Sequence, residues 1–427
     1  MEQKKEENGH MDNEIRDVSL APSGNRKIDW VYSHMPVLRS IEEDFKKTKP
    51  FEGLKVAMSI HLEAKTAYLA TVFQSGGADV YATGSNPLST QDDVAAGLAS
   101  RGVHVYAWHA STPEEYNHHL SRVLEVGPNI IIDDGGDLVN MMHKDYQELI
   151  PGVIGGCEET TTGIIRLIAM NRDRELKFPM MLVNNAQCKF LFDNRYGTGQ
   201  SVWNAINKAT NLIVAGKNVV VSGYGWCGKG VAMRAKALGA HVYITEIDPV
   251  KACEAVMDGY GVLKMEDAAP IGDIFVTVTG CRDVITMEHI LKMKDNVILC
   301  NAGHFNVEVN MEELEKAAVR KEERRENIMG YFLENGRSVN VIGEGRLVNL
   351  AAGDGHPAEI MDMSFAIQAL CSAYLAEHRE KREPGDMTIT VPEEIDRIVA
   401  TRKLRAMGYE VDMLTETQKE YLSSWEV

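Results

Sequence analysis

The chain has 427 residues, of which 44% are hydrophobic and 25% are charged, the balance of a globular protein with two domains. A formal net charge of −17, with no basic stripe to offset it, argues against nucleic acid and membrane surfaces as partners. The 7 cysteines are scattered without a C-x-x-C pair, which predicts a reducing, cytoplasmic compartment and no metal site.

Short apolar runs alternate with amphipathic segments along most of the chain. One set of strands is predicted near 55–60, 78–81, 103–106, 129–132 and 180–183, and a second near 219–221, 242–244, 274–276 and 297–299. Strands separated by helix-length spacers form β-α-β units. We therefore predict an α/β fold with two doubly wound, Rossmann-like parallel sheets.

Four other segments interrupt or flank these sheets. Polar residues 1–25 are expected to be a disordered tail, and the basic cluster at 320–325 is interpreted as a solvated helix face. Asn335-Gly336 lies between two β-rich runs and predicts a two-residue hairpin. Residues 392–427 have a helical pattern with many charges, which favours an interface or a cap over a catalytic element.

A glycine loop follows the first strand of the second set. Gly223, Gly225 and Gly228 permit a tight turn, close approach of a pyrophosphate and close helix packing, in that order. Glu246 ends the next strand, where a carboxylate accepts from ribose hydroxyls and disfavours a 2′-phosphate. We therefore predict bound NAD and not NADP; the alternative is that the glycines only turn a corner. Residues expected to line the same crevice are Thr279, Asn301 and Gly303.

Polar side chains also follow the strands of the first set. His61 follows the first strand, Asp133 and Asp134 end the fourth, and Asn184 follows the fifth. Ligands of doubly wound sheets bind beyond the carboxyl ends of the strands, so these groups predict a pocket. Taken singly, His61 has the alternative of a core histidine and the aspartates that of a turn. Several such groups at one edge favour the pocket.

A second polar cluster lies at 158–163, and Lys189 precedes Asp193-Asn194. The alternatives are a helix cap for the threonine run and a surface ion pair for the lysine. From spacing alone the sequence predicts an NAD enzyme whose other domain is rich in acids and bases.

Longer motifs resemble those of one enzyme family. From about residue 28 to 425 the chain resembles the adenosylhomocysteinase (S-adenosylhomocysteine hydrolase) family, in the shorter type common in archaea and thermophilic bacteria. The resemblance is carried by the glycine loop, Ser89-Thr90-Gln91-Asp92, Asp133-Asp134-Gly135-Gly136-Asp137-Leu138, Glu158-Glu159-Thr160-Thr161-Thr162-Gly163, Phe192-Asp193-Asn194, Thr245-Glu246-Ile247-Asp248-Pro249, Gly303-His304-Phe305, Glu344-Gly345-Arg346-Leu347-Val348-Asn349-Leu350 and Gly355-His356-Pro357.

The resemblance implies reversible hydrolysis of a nucleoside thioether, S-adenosyl-L-homocysteine, to adenosine and L-homocysteine. Tightly bound NAD oxidises the ribose 3′-hydroxyl, homocysteine is eliminated, water adds, and the hydride returns. It further implies a substrate-binding domain over 26–195 and 356–391, an NAD domain over 196–355, and hinges near 195 and 356. A homotetramer is expected, with 392–427 as the oligomerisation segment.

The resemblance also assigns roles to side chains. Lys189 is expected to be the base for the 3′-hydroxyl, held by Glu159 and Asp193, if a dry site lowers its pKa. Asp134 is expected to act near C4′, and His61 to protonate the thiolate and activate water. Further expected contacts are His304 with homocysteine; His356, Met361 and Gln91 with the rest of the substrate; and Thr160, Thr161, Thr162, Asn194, Gly223, Gly225, Trp226, Cys227, Gly228, Glu246, Lys251, Thr279, Asn301, Gly303 and Asn349 with NAD.

Three departures from the family pattern matter. The stretch before the lysine reads Asn184-Asn185-Ala186 instead of Asn-Asp-Ser, which predicts altered contacts around an active site that still works. The chain lacks the C-terminal Lys and Tyr that reach a neighbouring NAD in longer members. Glu63 and Lys65 stand where many members have Thr-x-Glu. Because an ammonium can donate to a 6-oxo group but not pair with an amine, S-inosyl-L-homocysteine is the alternative substrate. The other interpretations are that Glu63 pairs with Lys65 and neutralises it, or that Glu63 itself faces the amine.

Overall fold

The computed structural model describes residues 13–379 and 382–425. Its strands are β1 Glu14–Ile15, β2 Lys55–Ser59, β3 Asp79–Thr83, β4 His104–Ala107, β5 Ile130–Asp133, β6 Gly155–Glu158, β7 Met180–Leu182, β8 Asn218–Ser222, β9 His241–Thr245, β10 Gly261–Val262, β11 Ile274–Thr277, β12 Val297–Asn301, β13 Ala318–Arg325, β14 Ile328–Leu333, β15 Ser338–Ile342 and β16 Thr388–Ile389.

The helices are α1 Ala21–His34, α2 Pro36–Thr48, α3 Ala64–Ser75, α4 Asp92–Ser100, α5 Pro113–Leu124, α6 Asp137–Asp145, α7 Thr161–Arg172, α8 Gln187–Lys189, α9 Thr198–Thr210, α10 Trp226–Ala237, α11 Pro249–Met257, α12 Met265–Ala268, α13 Met287–Ile290, α14 Met311–Ala317, α15 Val348–Ala351, α16 Ala358–His378, α17 Glu393–Ala406 and α18 Glu416–Ser423. A π-helix, Phe190–Gly197, joins α8 to α9 without a break. Within the described ranges no helix is long and apolar enough to cross a membrane.

The strands form two sheets of eight, which confirms the predicted α/β fold. The first has the order β1-β4-β3-β2-β5-β6-β7-β16 and is parallel throughout. The second has the order β10-β9-β8-β11-β12-β15-β14-β13 and ends in an antiparallel unit. The strand order reverses between β2 and β5 and again between β8 and β11. Such switch points open the crevices in which α/β proteins bind ligands.

The predicted hairpin at Asn335-Gly336 is confirmed, since β14 and β15 pair antiparallel around it. The predicted two-residue length of its loop is wrong, because the Leu333 amide donates to the Arg337 carbonyl and leaves three residues, 334–336, between them. Gly336 has φ +80°, a left-handed conformation that glycine adopts without strain. The interpretation of 320–325 as a helix face is wrong, because these residues belong to the edge strand β13. Charged side chains on an edge strand discourage pairing with other chains, so a charged segment is compatible with a strand there.

The predicted disordered tail is wrong for residues 13–25, while 1–12 lie outside the described residues. Glu14–Ile15 pairs with β4, and Asn13 accepts a hydrogen bond from the Val105 amide at 2.7 Å. Gly24 packs so closely on α4 that a Cβ there would lie 1.7 Å from the Asp93 carbonyl oxygen. Backbone pairing and a close glycine contact thus order a segment whose composition is polar.

The strand β6, Gly155–Glu158, was not predicted, because it contains no run of apolar residues. Its two glycines let neighbouring groups approach closely. A Cβ at Gly156 would lie 2.5 Å from the Ile131 carbonyl oxygen and 2.7 Å from the Met180 sulfur. The consequence for the site is that Glu158 and Glu159 stand at the end of a central strand, next to Asp133 and Asp134.

Candidate active site

A cleft of about 1250 Å³ lies between the two sheets and is lined by residues from both. Pockets for single small ligands usually occupy roughly 300–1,000 Å³. The cleft opens at the carboxyl ends of β2 and β5 on one side and of β8 and β11 on the other. Both topological switch points therefore face the same space, which is large enough for a dinucleotide and a nucleoside together.

The side chain of Lys189 stands in a buried polar cluster on the first-sheet side. Its Nζ lies 3.2 Å from Asp193 Oδ2 and 3.3 Å from Glu159 Oε1. It also donates to the amide oxygens of Asn184 and Asn194, both at 3.1 Å. The π-helix has a wider repeat than an α-helix, and it turns Asn194, five residues after Lys189, back toward the ammonium.

The charges of this cluster differ from the expectation of a lowered lysine pKa. Burial disfavours the ammonium, but Asp193 and Glu159 outweigh burial and hold the pKa of Lys189 above its usual range. Burial raises the pKa of Glu159 to about 7, although Lys189 opposes that shift. Burial acts in the same direction on Asp193, but Lys189 and His356 hold its pKa below the usual range. Of these three groups, Glu159 is the one whose pKa lies near neutrality.

Two histidines flank Asp134 across the cleft. His61 Nε2 lies 3.3 Å from Asp134 Oδ2, and His304 Nδ1 lies 3.8 Å from Oδ1. His61 Nδ1 is 2.7 Å from the Ser89 hydroxyl, which fixes the ring. His304 reaches over Gly135, where a Cβ would lie 2.4 Å from its Nε2. The three ligand atoms are within 4.8 Å of one another, close enough to share a metal ion, yet each histidine here contacts the carboxylate.

Burial lowers the pKa of His61 to about 4, against the opposing effect of Asp134 and with help from His304 and His356. The imidazole is therefore neutral at pH 7. A neutral imidazole suits the expected activation of water. For the expected protonation of a thiolate, it must first receive a proton.

The second-sheet side of the cleft is built to accept a dinucleotide. Gly223 has φ +102°, and a Cβ at Gly228 would lie 2.0 Å from the Gly223 carbonyl oxygen, so both positions need glycine. A Cβ at Gly225 would meet nothing within 4 Å, which leaves the backbone open to a ligand. Glu246 accepts from the Tyr224 and Ile247 amides, both at 2.7 Å, and so stands beside the loop.

Most residues expected to contact NAD line the cleft. The buried Asn349 Oδ1 has no hydrogen-bond partner in the described chain, which fits a missing ligand donor. Gly228 and Asn301 lie behind the lining: the amide of Asn301 donates to the Gly303, Phe305 and Gly345 carbonyls and so shapes the loop. The expected contacts that do line the cleft are Thr160, Thr161, Thr162, Asn194, Gly223, Gly225, Trp226, Cys227, Glu246, Lys251, Thr279, Gly303 and Asn349.

The expected substrate contacts are divided. Met361 and His356 line the cleft, but the His356 ring pairs with Asp193 through Nδ1 and lies 3.3 Å from Thr198 Oγ1 through Nε2. His356 is thus part of the Lys189 cluster. Gln91 lies outside the lining, and its side chain accepts from Lys27 at 2.9 Å.

Lys65 and Glu63 form a buried ion pair in the wall of the cleft. Lys65 Nζ lies 2.7 Å from Glu63 Oε2 and donates to the Asp354 carbonyl at 3.0 Å. Glu63 Oε2 also accepts the Lys65 amide at 3.0 Å, which caps α3. An ammonium has three donors, so one is left for a ligand.

Comparison with known proteins identifies the family. The profiles described as "S-adenosyl-L-homocysteine hydrolase" and "S-adenosyl-L-homocysteine hydrolase, NAD binding domain" match residues 12–149 and 194–355. A Methanocaldococcus jannaschii protein named S-inosyl-L-homocysteine hydrolase is 56% identical over 412 residues, covering 96% of this chain and 99% of that protein. The adenosylhomocysteinase of Thermococcus kodakarensis is 55% identical over 412 residues, covering 96% and 97%. The chain belongs to the S-adenosyl-L-homocysteine hydrolase family.

This membership confirms the resemblance seen in the motifs, and it confirms NAD as the cofactor of the second-sheet region. The departures from the family pattern fall at Asn185 and Ala186, whereas Asn184 keeps the family residue and contacts the lysine cluster directly. Its amide oxygen accepts from Lys189, and its amide nitrogen donates to Thr161 Oγ1 at 2.9 Å. Asn184 thus links the lysine cluster to the threonine run expected to hold NAD.

Three positions that support the hydrolase site were not predicted. On α16, Ser364 donates to Asp193 at 2.7 Å and Gln368 donates to Glu159 at 2.5 Å. A polar residue every four positions, 364, 368 and 372, within the otherwise apolar stretch 363–376 was the available signal. Glu308 accepts from the Thr279 and Gly280 amides and holds their loop, and no sequence pattern indicated it.

Proposed function

We propose that the protein catalyses the reversible hydrolysis of S-adenosyl-L-homocysteine to adenosine and L-homocysteine. The observation that carries the proposal is the convergence of two acid–base groups and the glycine loop on one cleft. An ordinary dehydrogenase needs one proton relay beside its cofactor. Elimination of a thiol and addition of water need a second proton relay, which the His61–Asp134–His304 group supplies.

NAD, when bound, supplies reversible oxidation of the ribose 3′-hydroxyl. The Lys189 ammonium has four oxygen partners within 3.3 Å and three hydrogens, so the 3′-hydroxyl takes the place of one of these partners when it binds. We assign removal of its proton to the Lys189–Glu159 pair and not to Lys189 alone, because a carboxyl with a pKa of about 7 exchanges protons readily at neutral pH. The ammonium then stabilises the negative charge that develops on oxygen.

Asp134 is the group we assign to proton transfer at C4′, since it lies between both histidines. In the elimination, Asp134 takes the C4′ proton and passes it to neutral His61, 3.3 Å away, which gives it to the departing thiolate. In the addition, neutral His61 accepts a proton from the attacking water, and Asp134 returns a proton to C4′. His304 comes from the loop after β12 and Asp134 from the loop after β5. The complete group therefore forms where the two sheets face each other, and none of its three side chains is more than 13% exposed.

The second candidate substrate is S-inosyl-L-homocysteine, and the Lys65–Glu63 contact favours keeping it. The remaining ammonium donor suits a purine 6-oxo oxygen, while a Glu63 carboxylate oxygen suits the N1–H of hypoxanthine or the 6-amino group of adenine. The Lys65 donor and the Glu63 acceptor stand side by side, so the pair can bind either hypoxanthine or adenine through different atoms of the base. We expect measurable turnover of both nucleosides.

The test is kcat/KM for each thioether, followed by free-thiol release, in wild type and in Lys65→Glu. Losing a charged donor to the 6-oxo oxygen is expected to lower kcat/KM for the inosine form about tenfold or more. Lys65→Gln keeps one donor group, and its kcat/KM for the inosine form is expected to lie between those of wild type and Lys65→Glu. Lys177→Glu, a change on an exposed lysine, serves as the control. An unchanged substrate preference in Lys65→Glu would contradict the role of Lys65.

We also propose a cytoplasmic homotetramer whose domains, 26–195 with 356–391 and 196–355, close about hinges near 195 and 356. The seven cysteines are all unpaired, which fits a reducing compartment. Apolar side chains stand exposed in the C-terminal segment 392–427, including Met413 and Trp425, which fits burial against another subunit. Light scattering of the purified protein tests the tetramer, and a monomeric mass would overturn it.

A further inference from the structure

The helix α17, Glu393–Ala406, touches the helix that carries Lys189. The carboxylate of Asp396 accepts the Gln187 amide through Oδ2 at 2.9 Å and the Cys188 amide through Oδ1 at 2.8 Å. The Cys188 thiol also lies 3.3 Å from the Asp396 carbonyl oxygen. These contacts join segments more than two hundred residues apart in the sequence.

The two amides are the first donors of a continuous helical run from 187 to 210, made of α8, the π-helix and α9. The first amides of a helix have no partner within it. The next two, of Lys189 and Phe190, donate to the Ala186 carbonyl. Asp396 therefore completes the end of the run from which Lys189, Asp193 and Asn194 project.

The helix that carries Asp396, α17, is held in place by two ion pairs and by buried apolar side chains. Further along α17, Lys403 pairs with the buried Asp362 at 3.0 Å, and Arg402 pairs with Asp44 on α2 at 2.7 Å. Ile395 and Val399 of the same helix are buried in the core of the first-sheet region. A carboxylate on so firmly packed a helix imposes its position on the amides it binds.

We propose that Asp396 is a positioning residue for Lys189, and that α17 thereby forms part of the active site without touching substrate. The bidentate cap fixes the rotation of the helical run, and the run sets where the Lys189 ammonium meets Glu159 and Asp193. Misplacement of a reacting group by about 1 Å can cost a hundredfold in rate. The inference rests on the proposed hydrolase function only for its kinetic readout.

The experiment compares NAD-loaded full-length wild type with Asp396→Ala, Asp396→Asn and the control Arg402→Ala, which loosens α17 on the side away from α8. Asp396→Ala is expected to lower kcat for thiol release by about tenfold or more, while KM for the thioether changes less than about twofold. Asp396→Asn keeps one acceptor, and its kcat is expected to fall less than that of Asp396→Ala. Hydrogen exchange at residues 187–188 is expected to speed up in Asp396→Ala and to stay unchanged in Arg402→Ala.

The proposal is overturned if Asp396→Ala loses thermal stability like Arg402→Ala but keeps the wild-type kcat. If Asp396→Ala does not fold, Asp396→Asn decides: wild-type kcat and wild-type exchange at 187–188 overturn the proposal. A wild type that releases no thiol contradicts the proposed hydrolase function instead. In that event the exchange at 187–188 still tests the cap itself.

Discussion

At the scale of single residues, the charge balance around Lys189 determines which group moves the proton. Two buried carboxylates, Glu159 and Asp193, lie 3.3 Å and 3.2 Å from the single ammonium of Lys189. One cation cannot fully compensate two carboxylates, and Glu159 is the one whose pKa rises to about 7. The other hydrogen-bond partner of Glu159 is the uncharged amide of Gln368, which donates to it.

Glu159→Gln tests this assignment, because it preserves the side-chain shape and removes the titration. We expect kcat for thiol release to fall by roughly 10²–10⁴-fold and the ionisation near pH 7 to disappear from the pH profile of kcat. A profile that keeps this ionisation at wild-type kcat would show that Glu159 is not the proton acceptor. Glu175→Gln, on an exposed residue, is the matched control.

His61 gives a stability prediction with a defined sign. Its pKa is about 4 in the folded protein against an ordinary 6.5, so the unfolded chain binds the proton first as the pH falls. Folding stability supplied by the neutral imidazole is present above pH 6.5 and is lost as the pH falls toward 4. The loss amounts to about 2–4 kcal/mol.

We therefore expect the fall in free energy of unfolding between pH 6.5 and 4 to be smaller in His61→Gln than in wild type. Urea titration at several pH values measures it. His241→Gln, on an exposed histidine, should keep the full decline. Equal declines in His61→Gln and wild type would show that His61 is not buried in its neutral form.

At the scale of elements, different glycines of the loop before α10 are needed for folding and for cofactor binding. Gly228→Ala forces a Cβ to within 2.0 Å of the Gly223 carbonyl oxygen, whereas at Gly225 the added Cβ meets nothing. We expect Gly225→Ala to keep the wild-type Tm without NAD but to bind NAD about tenfold more weakly or worse. Gly228→Ala is expected to lower that Tm as well.

Calorimetry without NAD and a binding titration make the comparison. If Gly225→Ala binds NAD as tightly as wild type, the pyrophosphate does not approach this loop. If both variants lose Tm equally, the loop has only a structural role.

Sequence patterns predicted those elements whose residues are apolar in runs, such as β2, β5, β8 and β11. They missed β6, because its glycines allow close approach to the neighbouring strands and it has no run of apolar side chains that a pattern could detect. They misassigned β13, because alternating charges suit an edge strand and a helix face equally. Backbone pairing to distant strands decided both cases, and local pattern does not contain that information.

The candidate site divides in a similar way. Residues at strand ends and in the glycine loop, such as His61, Asp134 and Gly223, were predictable because parallel topology brings strand ends together. Ser364, Gln368 and Asp396 were not, since each acts through a contact to a residue far away in the sequence. The pKa of Lys189 was also unpredictable, because it depends on the distances to two carboxylates.

At the scale of the whole molecule, the two topological switch points face each other across one cleft, and this arrangement explains why the active site needs both sheets. The first-sheet side presents the acids and bases, and the second-sheet side presents the dinucleotide loop. His304 from the second side completes a group whose other members, His61 and Asp134, come from the first. An oxidation that must be reversed within one turnover requires the cofactor and both acid–base groups to enclose the same substrate.

The central claim is that the NAD acts as a recycled internal oxidant. The most direct test is to incubate the NAD-loaded protein with S-adenosyl-L-homocysteine, and separately with S-inosyl-L-homocysteine, while following free thiol and reduced-nicotinamide absorbance together. We expect many equivalents of thiol per protomer from at least one thioether, with no steady accumulation of reduced nicotinamide. Reduced nicotinamide that accumulates in step with product, or no thiol from either compound, would contradict it.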